Sequence, residues 1–187
     1  MKAVKVVGMG GSMKPGSTSI RTLEAALQGA ADAGADTELI EIRVLDLPIY
    51  TPDLPPTPGV LRMVDAVASA DGLLWSSPVY HGSISGAFKN ALDWLELLSH
   101  REPKYLTDKV VGLISTAGGV QGLQAINTME FVVRALRGWT VPMVLPLDRA
   151  AQAVDADGRI RDESLKNKLR QLGQEVASAA GRLSRRR

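Results

Sequence analysis

The chain is predicted to fold as an α/β domain, a three-layer α/β/α sandwich built on a five-stranded parallel sheet. Two features carry that prediction. Five short runs rich in Val, Ile and Leu alternate with five segments whose apolar residues recur at steps of three and four, a pattern that calls for helices on both faces of a parallel sheet. The first run, Ala3 to Gly8, and the apolar run Gly72 to Trp75 are near-continuous rather than alternating, as strands covered on both faces are. A length of 187 residues fits one such domain, and an apolar content of 45% fits a packed globule.

Taken in order, the first strand breaks into a Gly/Ser loop, Gly10 to Ser19. A helix is predicted from about Ser19 to near Gly34, with Ile20, Leu23, Leu27 and Ala30 on one face. Thr37 to Val44 is the second strand. Leu45 to Pro58 holds five of the ten prolines and is predicted as a loop crossing near the ligand site. Val60 to Ala68 is a helix with Val60, Leu61, Val64 and Val67 inward. Gly72 to Ser77 is the third strand, and Ile84 to Leu98 the third helix, with Ile84, Phe88, Ala91, Leu92 and Leu95 in helical register. Lys109 to Ser115 is the fourth strand, and Gln121 to Leu136 the fourth helix, with Gly138 as its cap. Thr140 to Leu145 is the fifth strand. Ala150 to Gly158 is polar, with a turn signal at Asp157-Gly158, and Asp162 caps a last helix carrying Leu165, Leu169, Leu172 and Val176. Right-handed crossovers leave few topologies, and the flavodoxin-like strand order 2-1-3-4-5 fits this length. Residues 1–187 are expected to form a single domain, with 184–187 a disordered basic tail.

Charge and composition narrow the function classes. The formal net charge is +2 with much of the excess in Arg182 and Arg185 to Arg187, so a pI near 9.0 overstates basicity and no nucleic-acid partner is expected. The absence of cysteine excludes disulfides and thiolate catalysis. With His81 and His100 the only histidines, no metal site is expected. No run reaches membrane-spanning length and no signal-peptide run opens the chain, so no membrane partner and a cytoplasmic location are expected.

Glycines between a first strand and a first helix commonly seat a phosphate on the helix N-terminus. The dinucleotide pattern begins correctly at Gly8 and Gly10 but meets Met13 where its third glycine belongs. The Walker pattern runs from Gly11 to Gly16 but offers Ser17 in place of its lysine. What remains is a hydroxyl-dense loop, Ser12, Ser17, Thr18 and Ser19 with Lys14 as a cation, suited to a terminal monophosphate without magnesium. Alone, such a loop is equally an ordinary serine-rich helix cap. Two further loops at the same sheet edge tip the balance. Pro78 to Ser83 brings the ring of Tyr80, the imidazole of His81, and Gly82, whose backbone can approach a flat ligand closely. Thr116, Ala117, Gly118 and Gly119 form the other. Phosphate plus planar heterocycle describes a mononucleotide, and FMN is the ligand of this fold by analogy.

The stretch Gly11-Ser12-Met13-Lys14-Pro15-Gly16-Ser17 resembles the first loop of the NADPH-dependent FMN reductase family. Ser77-Pro78-Val79-Tyr80-His81-Gly82-Ser83-Ile84-Ser85-Gly86-Ala87-Phe88-Lys89-Asn90-Ala91-Leu92-Asp93 is similar to its most specific motif. Leu45-Asp46-Leu47-Pro48 and the loop from Ser115 to Gly119 also fit, so the resemblance reaches to about Leu145. It implies FMN as cofactor, NADPH (or NADH) as hydride donor, and a small electron acceptor: free flavin, a quinone, an azo compound or a metal oxyanion. It places the FMN phosphate on Ser12, Lys14, Ser17 and Ser19, and the isoalloxazine on Pro78, Val79, Tyr80 and Gly82 with Ser83 nearby. Thr116, Ala117 and Gly118 would line the pyrimidine side. The family commonly has arginine where this chain has Lys14, a point charge in place of a bidentate fork. After Asp148 no motif matches.

Hydride chemistry on a flavin needs no protein nucleophile, so no catalytic side chain is expected. Backbone N–H groups of Gly118 and Gly119 suit stabilisation of negative charge at ring atoms N1 and O2, and Gly82 suits N5. Other residues have plainer readings. His81 and His100 are loop surface; Trp75 and Trp94 belong to core or interface; Lys89 and Asp93 pair on a helix surface; Arg134 and Arg137 complement a helix dipole. Trp94, Leu97 and Leu98 give the third helix more apolar surface than one face needs, which points to a homodimer or homotetramer. Two other classes compete. A flavodoxin-type electron carrier is expected to be strongly acidic and to sandwich the flavin between aromatics, whereas this chain is near neutral and offers Tyr80 alone. The third class is a binding module that kept the fold and lost the cofactor.

Overall fold

The strand from which the sheet grows is β1 (Lys5–Gly10), buried beyond its first residue, in a computed structural model that describes residues 3–184. The others are β2 (Asp36–Glu41), β3 (Gly72–Tyr80), a two-residue β4 (Ser83–Ile84), β5 (Val110–Thr116) and β6 (Trp139–Leu147). The helices are α1 (Thr18–Asp32), α2 (Pro58–Ser69), α3 (Gly86–Asp93), α4 (Gly122–Ala135) and α5 (Glu163–Ser184). The main sheet runs β2-β1-β3-β5-β6 with every pairing parallel, which is the expected 2-1-3-4-5 once the short antiparallel β4 beside β3 is set aside.

Alternate residues of each central strand enter opposite cores. Val7, Met9, Leu73, Trp75 and Leu113 pack with α2, α3 and α4. Val6, Leu74 and Ile114 pack with α1 and α5 on the other face. Both faces are covered, so the strands read as continuous apolar runs rather than alternating ones. Leu61, expected inward on α2, is 43% exposed, and Met63 takes its place in the core.

Three boundaries differ from expectation for physical reasons. β3 continues past Ser77 through Pro78 to Tyr80. The Ser76 carbonyl accepts from Gly11 N on the β1 side, so by the two-residue period Pro78 presents its hydrogen-free nitrogen to that same side, beyond the last β1 pair, Gly10↔Ser76. Ile84 pairs with Val79 in β4 instead of opening a helix. α3 starts at Gly86 because Ser85 caps it, its Oγ accepting from Phe88 N at 3.1 Å. Arg137, not Gly138, takes the left-handed position after α4, with φ +67°. Its N–H donates to Arg134 O at 3.0 Å and that of Gly138 to Val133 O at 2.9 Å, the paired bonds of a Schellman turn.

Trp94 and Leu98 correct a further expectation. They lie in the three-ten turns Trp94–His100 after α3, fully buried within the chain, and Trp94 Nε1 donates to Pro48 O at 2.8 Å. Pro48 and Tyr50 of the 45–58 loop cover Trp94, and Leu97 is half-buried. Trp75 is likewise core, edge-on to Phe88. The expected Lys89–Asp93 pair forms on α3 at 2.6 Å. At the C-terminus Asp162 Oδ1 accepts from Ser164 N, and Ser184 is the last residue of α5, so the expected tail does not begin there. Arg185 to Arg187 lie outside the described residues. No helix among the described residues is long and apolar enough to cross a membrane.

Candidate functional site

β1, β3, β5 and β6 all end at one edge of the sheet, so the segments that follow them meet there. The β1–α1 loop is organised by its own serines. Ser17 is the N-cap of α1, accepting from Ile20 N at 3.3 Å, and Ser12 Oγ accepts from Lys14 N at 3.2 Å. In both cases the hydroxyl accepts, which leaves its proton free to donate outward. Ser19 Oγ and Thr116 Oγ1 share a 2.6 Å hydrogen bond that ties the first loop to the end of β5. Ser85 Oγ donates to Gly11 O at 2.6 Å, tying it to the start of α3.

The loop after β5 is pinned from the far side. Ala117 N donates to Leu147 O and Ala150 N donates to Ala117 O, both at 2.8 Å. These bonds spend the backbone of Ala117 within the fold, so Gly118 and Gly119 carry whatever backbone contact this loop makes with a ligand. A Cβ on either glycine would meet nothing within 4 Å. Gly8, Gly10 and Gly11 differ: a side chain there would collide with Leu27, Ile20 or Phe88, so these glycines serve helix–strand packing.

Together the loops enclose a cleft of about 590 Å³. Its lining contains Ser12, Lys14, Ser17, Thr18 and Ser19 from the first loop, Pro78, Val79 and Tyr80 from the end of β3, and Thr116, Ala117 and Gly118 from the third. His81, Gly82, Ser83 and Gly119 fall outside that lining. His81 and Gly82, with φ of +52° and +79°, are the two central residues of a tight turn joining Tyr80 to its partner Ser83. Two successive positive φ values are the requirement of a type I′ hairpin, which gives Gly82 a conformational reason to be glycine. Ser83 Oγ lies 3.4 Å from Thr128 Oγ1 on α4.

The cleft suits a flavin mononucleotide. Its volume lies within the roughly 300–1,000 Å³ of small-molecule sites. One end gathers hydroxyls and a lysine at the N-terminus of a 15-residue helix, where backbone N–H groups and the dipole favour an anion. The other end is flanked by glycines with open space where a side chain would stand.

The family model for NADPH-dependent FMN reductase matches residues 4–152. This chain belongs to that family. It is 29% identical over 186 residues to an NAD(P)H:quinone oxidoreductase of Solanum tuberosum, covering 89% of this chain and 88% of that one. It is 28% identical over 171 residues to an NAD(P)H-dependent FMN reductase of Pseudomonas aeruginosa, covering 90% of each. The solved structure of FerB, a flavoenzyme NAD(P)H:(acceptor) oxidoreductase from Paracoccus denitrificans, superposes with a TM-score of 0.73 at 25% identity, over 96% of this chain and 98% of that one. FMN and NAD(P)H are thus the cofactors of this reductase, and the chain is an NAD(P)H-dependent FMN oxidoreductase.

The reductase also lines its cleft with residues the sequence did not single out: Gly16, Arg21, and Ala150, Ala151 and Val154 to Gly158. The last group follows β6, whose carboxyl end opens on the same edge. Topology was the available signal, since a fifth parallel strand must deliver its next segment there. Arg21 carried none, standing on a helix face one turn beyond the hydroxyl loop.

Proposed function

We propose that this reductase oxidises NADPH through FMN seated in the cleft and passes the electrons to a quinone-type acceptor at the same open face. The carrying observation is the convergence of the hydroxyl loop, the end of β3 and the glycine loop on one cleft. Ser12, Lys14, Ser17, Thr18 and Ser19 hold the phosphate, Ser12 and Ser17 donating protons that the fold leaves unused. Pro78, Val79 and Tyr80 support one side of the ring system. Gly118 and Gly119 present backbone to its pyrimidine edge, and Thr116, locked to Ser19, fixes the distance between phosphate and ring subsites. Gly82 orients this wall through the turn, with His81 and Ser83 beside it. When bound, FMN supplies the hydride chemistry, so the protein needs only to bind, orient and leave one face open.

The quinone acceptor is favoured by relatives named for it in Solanum tuberosum and Arabidopsis thaliana. Tyr80, 57% exposed, is the only aromatic residue lining the cleft among the described residues, which favours open access over the closed aromatic sandwich of an electron carrier. NADPH preference, a homodimer or homotetramer, and a cytoplasmic location complete the reading. The test is anaerobic: FMN-loaded protein is mixed with NADPH, then with a benzoquinone. Loss of the flavin absorbance band followed by its return on quinone addition is expected. A band that NADPH leaves intact would favour an electron carrier.

A further inference from the structure

The cation nearest the family's pattern is Lys14, yet a second cation stands in the same wall of the cleft. Arg21 lines it, one turn into α1, and its Nη1 donates to Glu24 at 3.0 Å. Nε is buried with no hydrogen-bond partner, and Nη2 donates to none of the described residues. Burial beside the Gly158 turn keeps Nε from any ligand, so Nη2 is the donor this side chain leaves for an anion in the cleft. Two glycines flank it. A Cβ on Gly16 would lie 3.6 Å from Nη2, and one on Gly158 would lie 2.9 Å from Nε and 3.2 Å from Cζ. The guanidinium therefore sits between the hydroxyl loop and the turn after β6, where any other residue at 158 would crowd it.

That turn is built to stay. Gly158 holds φ +80°, its N–H donates to Asp155 O at 3.1 Å, and Val154 bridges Ile160 behind it. The family match ends at residue 152, so this wall lies beyond the part of the chain that the family model describes.

We infer that Arg21, seated between Gly16 and Gly158, supplies a charge-assisted phosphate contact of this reductase through Nη2, with Lys14 in a secondary role. The inference rests on the proposed placement of the FMN phosphate at the hydroxyl loop. The Glu24 pair on Nη1 holds the guanidinium without consuming Nη2, whose charge-assisted bond to an anion is stronger than a neutral hydrogen bond. Arginine from the helix thereby replaces the arginine missing from the loop.

The experiment compares FMN with riboflavin, which lacks the phosphate, by flavin fluorescence titration of wild type, Arg21→Gln, Arg21→Lys and Lys14→Gln. Arg21→Gln should weaken FMN binding by about tenfold while riboflavin affinity is unchanged, as loss of a charge-assisted contact requires. Arg21→Lys should recover only part of the loss, because an ammonium cannot hold Glu24 and the phosphate on separate nitrogens as the guanidinium does. Lys14→Gln should lose less than Arg21→Gln. An unchanged FMN-to-riboflavin ratio in Arg21→Gln, or equal losses for both ligands, would overturn the assignment of Arg21 while leaving the cleft as the flavin site. A wild type that binds neither flavin, or both equally, would overturn the phosphate placement and this inference with it.

Discussion

Gly82 carries φ +79°, and a Cβ at that position would meet nothing within 4 Å, so the cost of replacing it is conformational rather than steric. An L-residue held in that region loses roughly 1–2 kcal/mol. Gly82→Ala should therefore lower stability by about 1 kcal/mol in urea unfolding, and Gly82→Asn by less, because asparagine tolerates left-handed backbone. Equal losses for both variants would mean that the His81-Gly82 turn does not set the energy of this position. The neighbouring Tyr80 carries no such cost, since it lies in β3 with ordinary strand pairing. Ser19 shows the same division of labour within one side chain: its hydroxyl is spent on Thr116, and the residue is 1% exposed.

At the scale of elements, α1 and α5 cross at a point where neither tolerates a side chain. A Cβ on Gly29 would strike the Arg170 carbonyl, and one on Gly173 would strike that of Ala26. Backbone cannot yield as a flexible side chain can, so Gly173→Ala should destabilise by at least the roughly 1–3 kcal/mol of an overpacked core, read as a lowered denaturation midpoint with unchanged m-value. The same helices are joined at their surface by Arg170 and Asp32. Asp32 titrates below its ordinary 3.8, chiefly through the hydrogen bond from Gln28, with Arg170 adding to it against opposing desolvation. A carboxyl depressed in the folded state contributes stability above its unfolded pKa and loses it as pH falls through the folded value. Asp32→Asn should thus lower the melting temperature near neutrality, and the gap to wild type should narrow as pH falls below 3.8. The sequence made such elements legible where an apolar run or helical spacing dominated, as in the continuous run that holds Val6 and Val7. It was less informative where tertiary pairing outweighed local pattern. Ile84 has helical spacing to Phe88 yet pairs with Val79, and Pro78 extends β3 because its missing N–H faces a side that β1 has already left. Gly29 and Gly173 carried no signal, since nothing local announces that each packs on the other helix's backbone.

The whole molecule places every element of its cleft at one sheet edge, and that arrangement depends on all five parallel strands being in register. The hydroxyl loop comes from β1, the Tyr80 wall from β3, the glycine loop from β5 and the Gly158 wall from β6, with the Ser19–Thr116 and Ala117–Leu147 bonds joining them. Three of these four contributions were visible as glycine- or hydroxyl-rich loops after apolar runs. The fourth was hidden because its residues, Ala150 to Gly158, have no composition that marks a ligand, and only their position after β6 brings them there. An unfolded chain has no such cleft, so FMN binds the folded state alone and must stabilise it by linkage. At a free concentration of 100 times Kd the gain is about 2.7 kcal/mol, which for a domain of this size corresponds to a rise of roughly 5–10 °C in melting temperature. Riboflavin at the same concentration should give a smaller rise, because the proposed phosphate end of the cleft, Ser12–Ser19, then goes unused. A melting temperature that saturating FMN leaves unmoved would mean that the four segments do not form one site, however closely they approach in the fold.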